Sequence, residues 1–226
     1  ARLNGTSLAN ALTGTAYQDN LYGLDGADTL TGNDGDDFLV GGNGADSLAG
    51  GNGSDGYSWA TGEGNDTLND AGTSRLETDR LWLNDVSSTD VSLARVGNNL
   101  AIRVTSTGEV ITVLARFTST TSGAGIEEIS FADGAVWTLQ DVLARTRLEG
   151  TSAAETLTGV AYRDNLYGYG GNDTLNGNDG DDLLVGGLNN DSLAGGNGSD
   201  LYQWQRLDGN DTINDAGTVA GEVDTL

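Results

Sequence analysis

The sequence predicts an all-β fold in which short strands stack as successive coils, and three observations support this prediction. Gly supplies 36 of the 226 residues, whereas Pro, Cys, Met and His are absent. Segments of nine residues follow one another without a gap, as in GLDGADTLT (23–31), GNDGDDFLV (32–40) and GGNGADSLA (41–49). Between two such series, apolar and polar residues alternate with the period of two that is typical of strands.

The charge is strongly acidic, since 34 Asp and Glu oppose 10 Arg and no Lys, for a net charge of −24. This balance excludes nucleic acid as a natural partner, because a polyanion would be repelled. The absence of His and Cys excludes zinc, haem, iron–sulfur and histidine-dependent catalytic sites of the usual kinds. No apolar run approaches the roughly 18 residues of a membrane span, so none is predicted.

The repeats occur on two scales. The first series of nine-residue units starts with GTSLANALT (5–13), and the second starts with GTSAAETLT (150–158), an offset of 145 residues that continues to the end of the chain. We therefore predict a first repeat block over 1–78, a β-rich intervening module over 79–146 and a second repeat block over 147–226. The second block is interpreted as the truncated start of another 145-residue unit, and the chain as a piece of a longer tandem array.

Each unit has a fixed internal pattern. Gly at positions one, two and four permits a tight turn over the first six residues, and the last three residues form a short strand. Two units make one coil of 18 residues, and stacking coils about 4.8 Å apart superimposes every second inward side chain. That inward side chain is Leu at Leu12, Leu21, Leu30, Leu39, Leu48, Leu157, Leu166, Leu175, Leu184 and Leu193.

Position six is Asp, and stacking places these carboxylates in rows. Two carboxylates about 5 Å apart repel by roughly 3 kcal/mol at an effective dielectric constant of 20. No Arg lies between residues 3 and 74 to offset the repulsion. Carboxylates among backbone carbonyls favour a hard cation, and calcium more than magnesium, because calcium accepts six to eight oxygen ligands at flexible angles.

These units resemble the RTX (repeats-in-toxin, haemolysin-type) calcium-binding nonapeptide, G-G-x-G-x-D-x-U-x with U a large apolar residue. The resemblance covers about 5–72 and 150–217, and the alternating segment between them is similar to the haemolysin-type-related module found between RTX blocks. It implies right-handed parallel β-roll blocks, joined by a β-strand-rich module with a short helix. It also implies calcium in the turns, about four ions per block.

The resemblance further implies the ligands of each ion, which lies between turns 18 residues apart. The carboxylates are those of Asp19, Asp28, Asp37, Asp46, Asp55, Asp66, Asp164, Asp173, Asp182, Asp191, Asp200 and Asp211. Carbonyls at positions two and four of the earlier turn and at positions one and three of the later turn complete each site. In the first block these are Thr15, Tyr17, Leu24, Gly26, Gly32, Asn33, Asp34, Gly35, Gly41, Gly42, Asn43, Gly44, Gly50, Asn52, Thr61 and Glu63. In the second block they are Val160, Tyr162, Tyr169, Gly171, Gly177, Asn178, Asp179, Gly180, Gly186, Gly187, Leu188, Asn189, Gly195, Asn197, Arg206 and Asp208.

Several units depart from the pattern. Asn10 and Glu155 stand where Asp is expected, so weak or empty sites are expected there. Tyr17 and Tyr162 replace the Gly of position four, which predicts a wider turn at the start of each block. Asn189 also replaces this Gly, and Asn is the side chain that best tolerates positive φ.

The last unit of each series has an aromatic residue in the inward position, at Tyr57 and Tyr202. We expect these rings to close the roll beside Trp59 and Trp204. Trp59, Trp82, Trp137 and Trp204 are interpreted mainly as core or capping residues, with stacking on sugars as the alternative.

The module has its own signals. Leu100, Ile102 and Val104 share one strand face, and a turn is expected at Gly97-Asn98-Asn99. Asp133-Gly134 predicts a hairpin, and Thr138 is expected to cap a short helix that runs to Arg145. Glu127-Glu128 invites an interpretation as paired catalytic carboxylates, but neighbouring strand residues point to opposite faces, which favours a surface and a rim charge.

The favoured function is a non-enzymatic, calcium-binding spacer from a large secreted or surface bacterial RTX protein. The resemblance implies type I secretion of an unfolded chain and folding on calcium outside the cell. The expected partners are calcium and neighbouring repeats of the same array, with glycans or a host or bacterial surface as further candidates. The alternatives are a carbohydrate- or cell-binding adhesin module, and an accessory domain of a secreted toxin, protease, lipase or epimerase.

Overall fold

The computed structural model describes residues 1–70, 72, 77–117, 125–217, 221 and 223–226. Residues 1–139 and 140–226 form two compact units. The first repeat series and most of the alternating module lie in the first unit, and the second repeat series lies in the second. Within the described ranges, no helix is long and apolar enough to cross a membrane.

The first unit is built from short strands in two seven-stranded sheets. The strands are β1 (Arg2–Asn4), β2 (Ala11–Thr13), β3 (Asn20–Asp25), β4 (Thr29–Asp34), β5 (Phe38–Asn43), β6 (Ser47–Asn52), β7 (Gly56–Trp59), β8 (Thr67–Leu68), β9 (Arg80–Leu83), β10 (Val91–Val96), β11 (Asn99–Val104), β12 (Val110–Val113), β13 (Glu128–Phe131) and β14 (Val136–Thr138). One sheet has the order β1-β3-β5-β7-β9-β13-β14, and the other has the order β10-β11-β12-β8-β6-β4-β2. The sheets of the first repeat block therefore continue directly into strands of the module.

The second unit repeats this arrangement with two four-stranded sheets. Helix α1 (Leu139–Arg145) spans its start. The strands are β15 (Leu148–Glu149), β16 (Thr156–Thr158), β17 (Asn165–Gly170), β18 (Thr174–Asp179), β19 (Leu183–Leu188), β20 (Ser192–Asn197), β21 (Leu201–Gln203) and β22 (Thr212–Ile213). The sheet orders are β15-β17-β19-β21 and β16-β18-β20-β22.

The coils have the predicted length of 18 residues. Parallel pairing aligns Leu21 with Leu39 and Leu30 with Leu48, and the second unit aligns Leu166 with Leu184 in the same way. Leu21, Leu30 and Leu39 are fully buried, so the inward Leu residues form a continuous apolar column inside each block. The predicted all-β, parallel β-roll fold is confirmed.

The division between turn and strand differs from the prediction. Inner strands such as β4 contain six residues rather than three, because positions two and three of each unit still pair with the next coil, as Asn33 does with Gly51. The connection that remains, such as 35–37, has only three residues. The expected six-residue turn is therefore wrong as a description of the backbone pairing.

The aromatic residues that end each block behave differently in the two units. Tyr57 and Tyr202 are buried, as expected for residues that close the roll. Trp59 is 2% exposed because β9 pairs with β7 above it, whereas Trp204 is 52% exposed. Among the described residues, β21 has only the isolated bridge Leu201–Thr225 on that side. The interpretation of Trp204 as a core residue is therefore wrong.

The module follows its sequence signals closely. Leu100, Ile102 and Val104 are buried on one face of β11, which pairs with β10 across the turn at 97–98. β13 and β14 form the hairpin expected around Asp133-Gly134, with a connection of 132–135. α1 follows Thr138 directly and ends at Arg145, as predicted.

Candidate calcium-binding turns

The Asp residues of position six form rows along the edges of both blocks. The backbone N–H of Asp19 donates to Oδ1 of Asp37 at 2.7 Å, and the N–H of Asp37 donates to Oδ1 of Asp55 at 2.8 Å. The same bond, at 2.6–3.0 Å, recurs for the donor–acceptor pairs Asn10–Asp28, Asp28–Asp46, Asp46–Asp66, Asp55–Asp79, Glu155–Asp173, Asp164–Asp182, Asp173–Asp191, Asp182–Asp200, Asp191–Asp211 and Asp200–Asp224. The pairing of predicted ligand carboxylates between successive coils is thus built into the backbone.

The second oxygen of eight of the predicted ligand carboxylates lacks a partner. Eleven of the twelve predicted ligand Asp residues are at most 5% exposed, and Asp211 is intermediate. A buried Oδ2 without a hydrogen-bond donor occurs at Asp28, Asp37, Asp46, Asp55, Asp173, Asp182, Asp191 and Asp200. A buried charge with an unsatisfied oxygen is strongly unfavourable, so each of these atoms requires a proton or a cation.

Glycine at position one leaves room for the carboxylate. A Cβ placed at Gly14 would lie 2.9 Å from Oδ2 of Asp19 and 2.5 Å from the carbonyl oxygen of Gly32, and Gly159 is equally crowded by Asp164 and Gly177. The position-six carboxylate and the position-one carbonyl of the next coil therefore approach the same point, as the predicted ligand set requires.

The turns that follow the first coil of each block, such as 24–28 and 33–37, are called the inner turns. In them, positions two and four orient two further carbonyls. Here φ is positive, as at Leu24 (84°) and Gly26 (118°). A Cβ at Gly42 or Gly44 of the next coil would collide with the carbonyl oxygens of Leu24 and Gly26, respectively. The same conformation recurs at Asn33, Gly35, Tyr169, Gly171, Asn178, Gly180, Gly187, Asn189, Gly196 and Gly198, and Asn189 has the positive φ of 85° that its place in the unit predicts.

Position three of the later turn is already engaged. Carbonyls such as those of Asn43 and Asn52 accept hydrogen bonds, each 2.8 Å long, from the N–H of Gly26 and Gly35. The carboxylate of Asp25, also at position three, is exposed and accepts a 2.8 Å bond from the amide of Asn43. Position-three carboxylates therefore lie outside the rows formed by position six.

The first coil of each block has a different turn. The N–H of Thr15 donates to Oδ2 of Asp19 at 2.6 Å, and the N–H of Val160 donates to Oδ2 of Asp164 at 2.6 Å. Asn10 and Glu155 accept the corresponding bonds from Thr6 and Thr151. We call 6–10, 15–19, 151–155 and 160–164 the leading turns. In them a backbone N–H, rather than a carbonyl, faces the side chain of position six.

Burial changes the acidity of the inner carboxylates. It raises the pKa of Asp55 and of Asp66 to about 7, and that of Asp182 to about 8, with neighbouring carboxylates adding to the effect. The same cause raises the pKa of Asp37, Asp46, Asp173, Asp191 and Asp200. Without a cation, Asp55, Asp66 and Asp182 therefore retain protons near neutral pH.

Sequence reasoning missed four acidic residues at the ends of the blocks. Asp79 continues the row 24 residues after Asp55, and Asp224 continues it 24 residues after Asp200. Asp70 and Asp215 complete a three-carboxylate group in each unit. The period of nine hides them, because additional residues precede Asp79 and Asp224. The signal available in the sequence was the repetition itself, because Asp215 and Asp224 lie 145 residues after Asp70 and Asp79.

The two adjacent glutamates serve different contacts. Glu128 pairs with Arg80, and Glu127 accepts the N–H of Asp79 at 3.0 Å. Burial raises the pKa of Glu127 to about 7, while Arg116 lowers it. The two side chains have separate partners, and both are partly buried, so neither is the fully exposed surface charge that was expected for one of them.

Comparison with known families supports the interpretation of the repeats. The model of the RTX calcium-binding nonapeptide repeat matches residues 4–39, 22–57, 149–184 and 167–202. The chain is an RTX repeat protein. The model of the haemolysin-type calcium binding protein related domain matches residues 99–141 of this RTX repeat protein, within the module. Calcium binding is thus the property that its repeats share with the family.

Solved structures with similarity to this RTX repeat protein include a subunit of the mannuronan C5-epimerase from Azotobacter vinelandii. It has 25% sequence identity and a TM-score of 0.38, over 48% of this chain and 72% of that chain. The extracellular lipase from Serratia marcescens has 15% identity and a TM-score of 0.25, over 99% of this chain and 39% of the lipase. A search of the curated proteins found no significant match.

Proposed function

We propose that this RTX repeat protein is a calcium-dependent structural spacer, without catalytic activity, in a larger secreted or surface-exposed bacterial protein. The observation that carries the proposal is the row of buried position-six carboxylates whose Oδ2 atoms lack a donor. Bound calcium would supply the missing positive charge, and the carbonyl oxygens of positions two and four would coordinate it. About four ions per block would act in this way. Their ligands would be those the family resemblance implies, except that the leading turns present an N–H where carbonyls of Thr15 and Val160 were expected.

Calcium would also determine when the chain folds. With little calcium, the net charge of −24 and the paired carboxylates favour an expanded acidic chain, which suits export in an unfolded state through a type I system. Extracellular calcium modules bind with dissociation constants of about 10⁻⁴ to 10⁻³ M, so calcium outside the cell would fold the chain.

A structural role is supported by the distribution of the perturbed carboxylates. Those at position six repeat along both blocks at intervals of one coil, and a three-carboxylate group occurs where each block ends. Repetition of the same site along stacked coils suits mechanical spacing between other parts of a protein.

The test is a calcium titration of the full chain followed by far-ultraviolet circular dichroism. We expect a weak β signal in chelator at pH 8, a cooperative gain of β structure at millimolar calcium and little response to magnesium at the same concentration. A spectrum that is already β-rich in chelator at pH 8 and unchanged by calcium would contradict the proposal.

A binding module is the second candidate, and an aromatic stripe favours it. Tyr22 of β3, Phe38 of β5 and Trp82 of β9 form a row, with ring centroids 6.5 and 5.9 Å apart, and all three are partly exposed. Phe38 and Trp82 approach each other across the intervening strand β7, because Gly56 has no side chain there. Partly exposed rings in a row suit stacking on sugar rings. Glycan-array binding that is lost in Trp82→Ala but kept in Trp204→Ala would support this role. Absence of glycan binding by the intact chain would count against it.

A further inference from the structure

Three buried carboxylates meet where the first block ends, outside the 18-residue pattern. Asp55 belongs to the last unit, Asp70 follows β8 and Asp79 precedes β9. One oxygen from each lies within 4.8 Å of an oxygen from each of the others. Their exposed fractions are 2%, 2% and 0%. Three acidic groups are thus enclosed together.

The fold fixes all three side chains. The N–H of Arg80 donates to the carbonyl oxygen of Asp55 at 2.9 Å, which sets Asp79 beside Asp55, and the N–H of Asp55 donates to Oδ1 of Asp79 at 2.7 Å. The buried hydroxyl of Tyr57 donates to Oδ1 of Asp70 at 3.0 Å. The group is therefore preorganised rather than a chance cluster on a flexible surface.

One oxygen of each carboxylate remains unsatisfied. Oδ2 of Asp55, of Asp70 and of Asp79 is buried and receives no hydrogen bond. The nearby arginines have other acidic neighbours, since Arg80 pairs with Glu128 and Arg116 lies beside Glu127. An enclosed group of three acceptors with three unsatisfied oxygens fits a cation.

The same arrangement recurs in the second unit. Asp200, Asp215 and Asp224 also lie within 4.8 Å of one another, and the N–H of Asp200 donates to Oδ1 of Asp224 at 3.0 Å. This copy is more open, because Asp215 is only partly buried and Asp224 is exposed. Recurrence in two separate units indicates that the site is part of the repeated 145-residue unit.

We propose that Asp55, Asp70 and Asp79 bind a calcium ion in a site additional to those between successive nonapeptide turns, and that Asp200, Asp215 and Asp224 form a weaker counterpart. The ion would tie the last nonapeptide turn to the start of β9 and so couple the roll to the module. The inference rests on the proposed function only in requiring that the chain bind calcium.

Asp70→Asn tests the site alone, because Asp70 takes no part in the position-six rows. Asn retains an acceptor for the Tyr57 hydroxyl. The matched control is Asp25→Asn, an exposed carboxylate that accepts from Asn43. Native mass spectrometry of the full chain at saturating calcium should count one ion fewer in Asp70→Asn than in the wild type and the same number in Asp25→Asn. Terbium luminescence sensitised by Tyr57 should fall in Asp70→Asn alone.

The outcomes separate the two proposals. If the wild type binds no calcium, the proposed function fails. If the wild type and Asp70→Asn bind the same nonzero number of ions, only the additional site is overturned. Should Asp70→Asn fail to fold, a crystal structure of the wild type grown with calcium decides. An ion at about 2.3–2.6 Å from all three carboxylates supports the site, and its absence overturns it.

Discussion

The leading turns and the inner turns of this RTX repeat protein present opposite backbone groups to the residue at position six. They also differ in width, since six residues separate β2 from β3 and three separate β4 from β5. In the leading turn 15–19, the N–H of Thr15 satisfies Oδ2 of Asp19. In the inner turn 33–37, Asn33 has a positive φ of 82°, and Oδ2 of Asp37 receives no hydrogen bond. An N–H solvates a carboxylate, whereas a carbonyl repels it and attracts a cation.

Packing against the next coil shows the same contrast. A Cβ at Gly35 would lie 2.6 Å from the carbonyl carbon of Tyr17 and 2.8 Å from the nitrogen of Gln18, so it meets the plane of that peptide. A Cβ at Gly53 would instead meet the carbonyl oxygen of Gly35 first. The peptide after position four is thus rotated between the two kinds of turn. The leading turn thus supplies its own backbone donor to Oδ2 of position six, and the inner turn does not.

The largest expected effect is that of removing charge from an inner turn. Asp37→Asn keeps an acceptor for the N–H of Asp19 but removes a carboxylate that belongs to two proposed sites. We expect the calcium concentration at the folding midpoint to rise at least about tenfold, since ligand charge sets the affinity of such sites. Circular dichroism during calcium titration measures this midpoint.

Two controls sharpen that comparison. Asp19→Asn, in a leading turn, should shift the midpoint much less, because its carboxylate already has a backbone donor. Asp25→Asn changes an exposed carboxylate that accepts from Asn43 and should leave the midpoint unchanged. Equal shifts in all three variants would refute the assignment of the ions to position six.

The next largest expected effect is that calcium reverses the pH dependence of the stability of the folded chain. Burial raises the pKa of Asp55 to about 7 and that of Asp182 to about 8, whereas an unfolded Asp has a pKa of about 3.9. Between these values the folded state holds more protons than the unfolded state, so stability without calcium falls as pH rises toward 8.

In chelator, we therefore expect more β structure at pH 5 than at pH 8. With calcium the order should reverse, because protons compete with the ion for the same oxygens, and the calcium midpoint should fall as pH rises. Circular dichroism at both pH values, with and without calcium, checks both signs. A chelated chain with equal β content at pH 5 and pH 8 would show that these carboxylates need no neutralisation.

The period of nine was sufficient to predict the coil length, the inward Leu column and the row from Asp19 to Asp55, because each depends only on stacking at a fixed interval. It could not find Asp79, since the longer segment between Asp55 and Asp79 breaks the interval while the strand pairing continues. The exposure of Trp204 was equally hidden, because it depends on what pairs with the following strand edge. Local repetition therefore predicts the regular coils, and tertiary pairing decides their ends.

One feature of the sequence is associated with the peptide orientation in the leading turns. Tyr17 and Tyr162 occupy position four, where the inner turns have positive φ, and neither has it. A wider turn was predicted from this substitution, but the exchange of a carbonyl for an N–H was not. Such an exchange follows from rotation of one peptide, which changes the spacing of apolar residues very little.

The smallest expected effect comes from converting a leading turn into an inner one. Tyr17→Gly makes positive φ accessible at position four and removes a side chain that is 79% exposed, so little packing is lost. We expect a modest fall, about twofold, in the calcium midpoint, and faster amide hydrogen exchange at Thr15 as its bond to Asp19 is released. Gln18→Gly adds the same backbone freedom one residue later and should produce neither change. If both variants behave alike, backbone entropy rather than the direction of the peptide distinguishes the two turns.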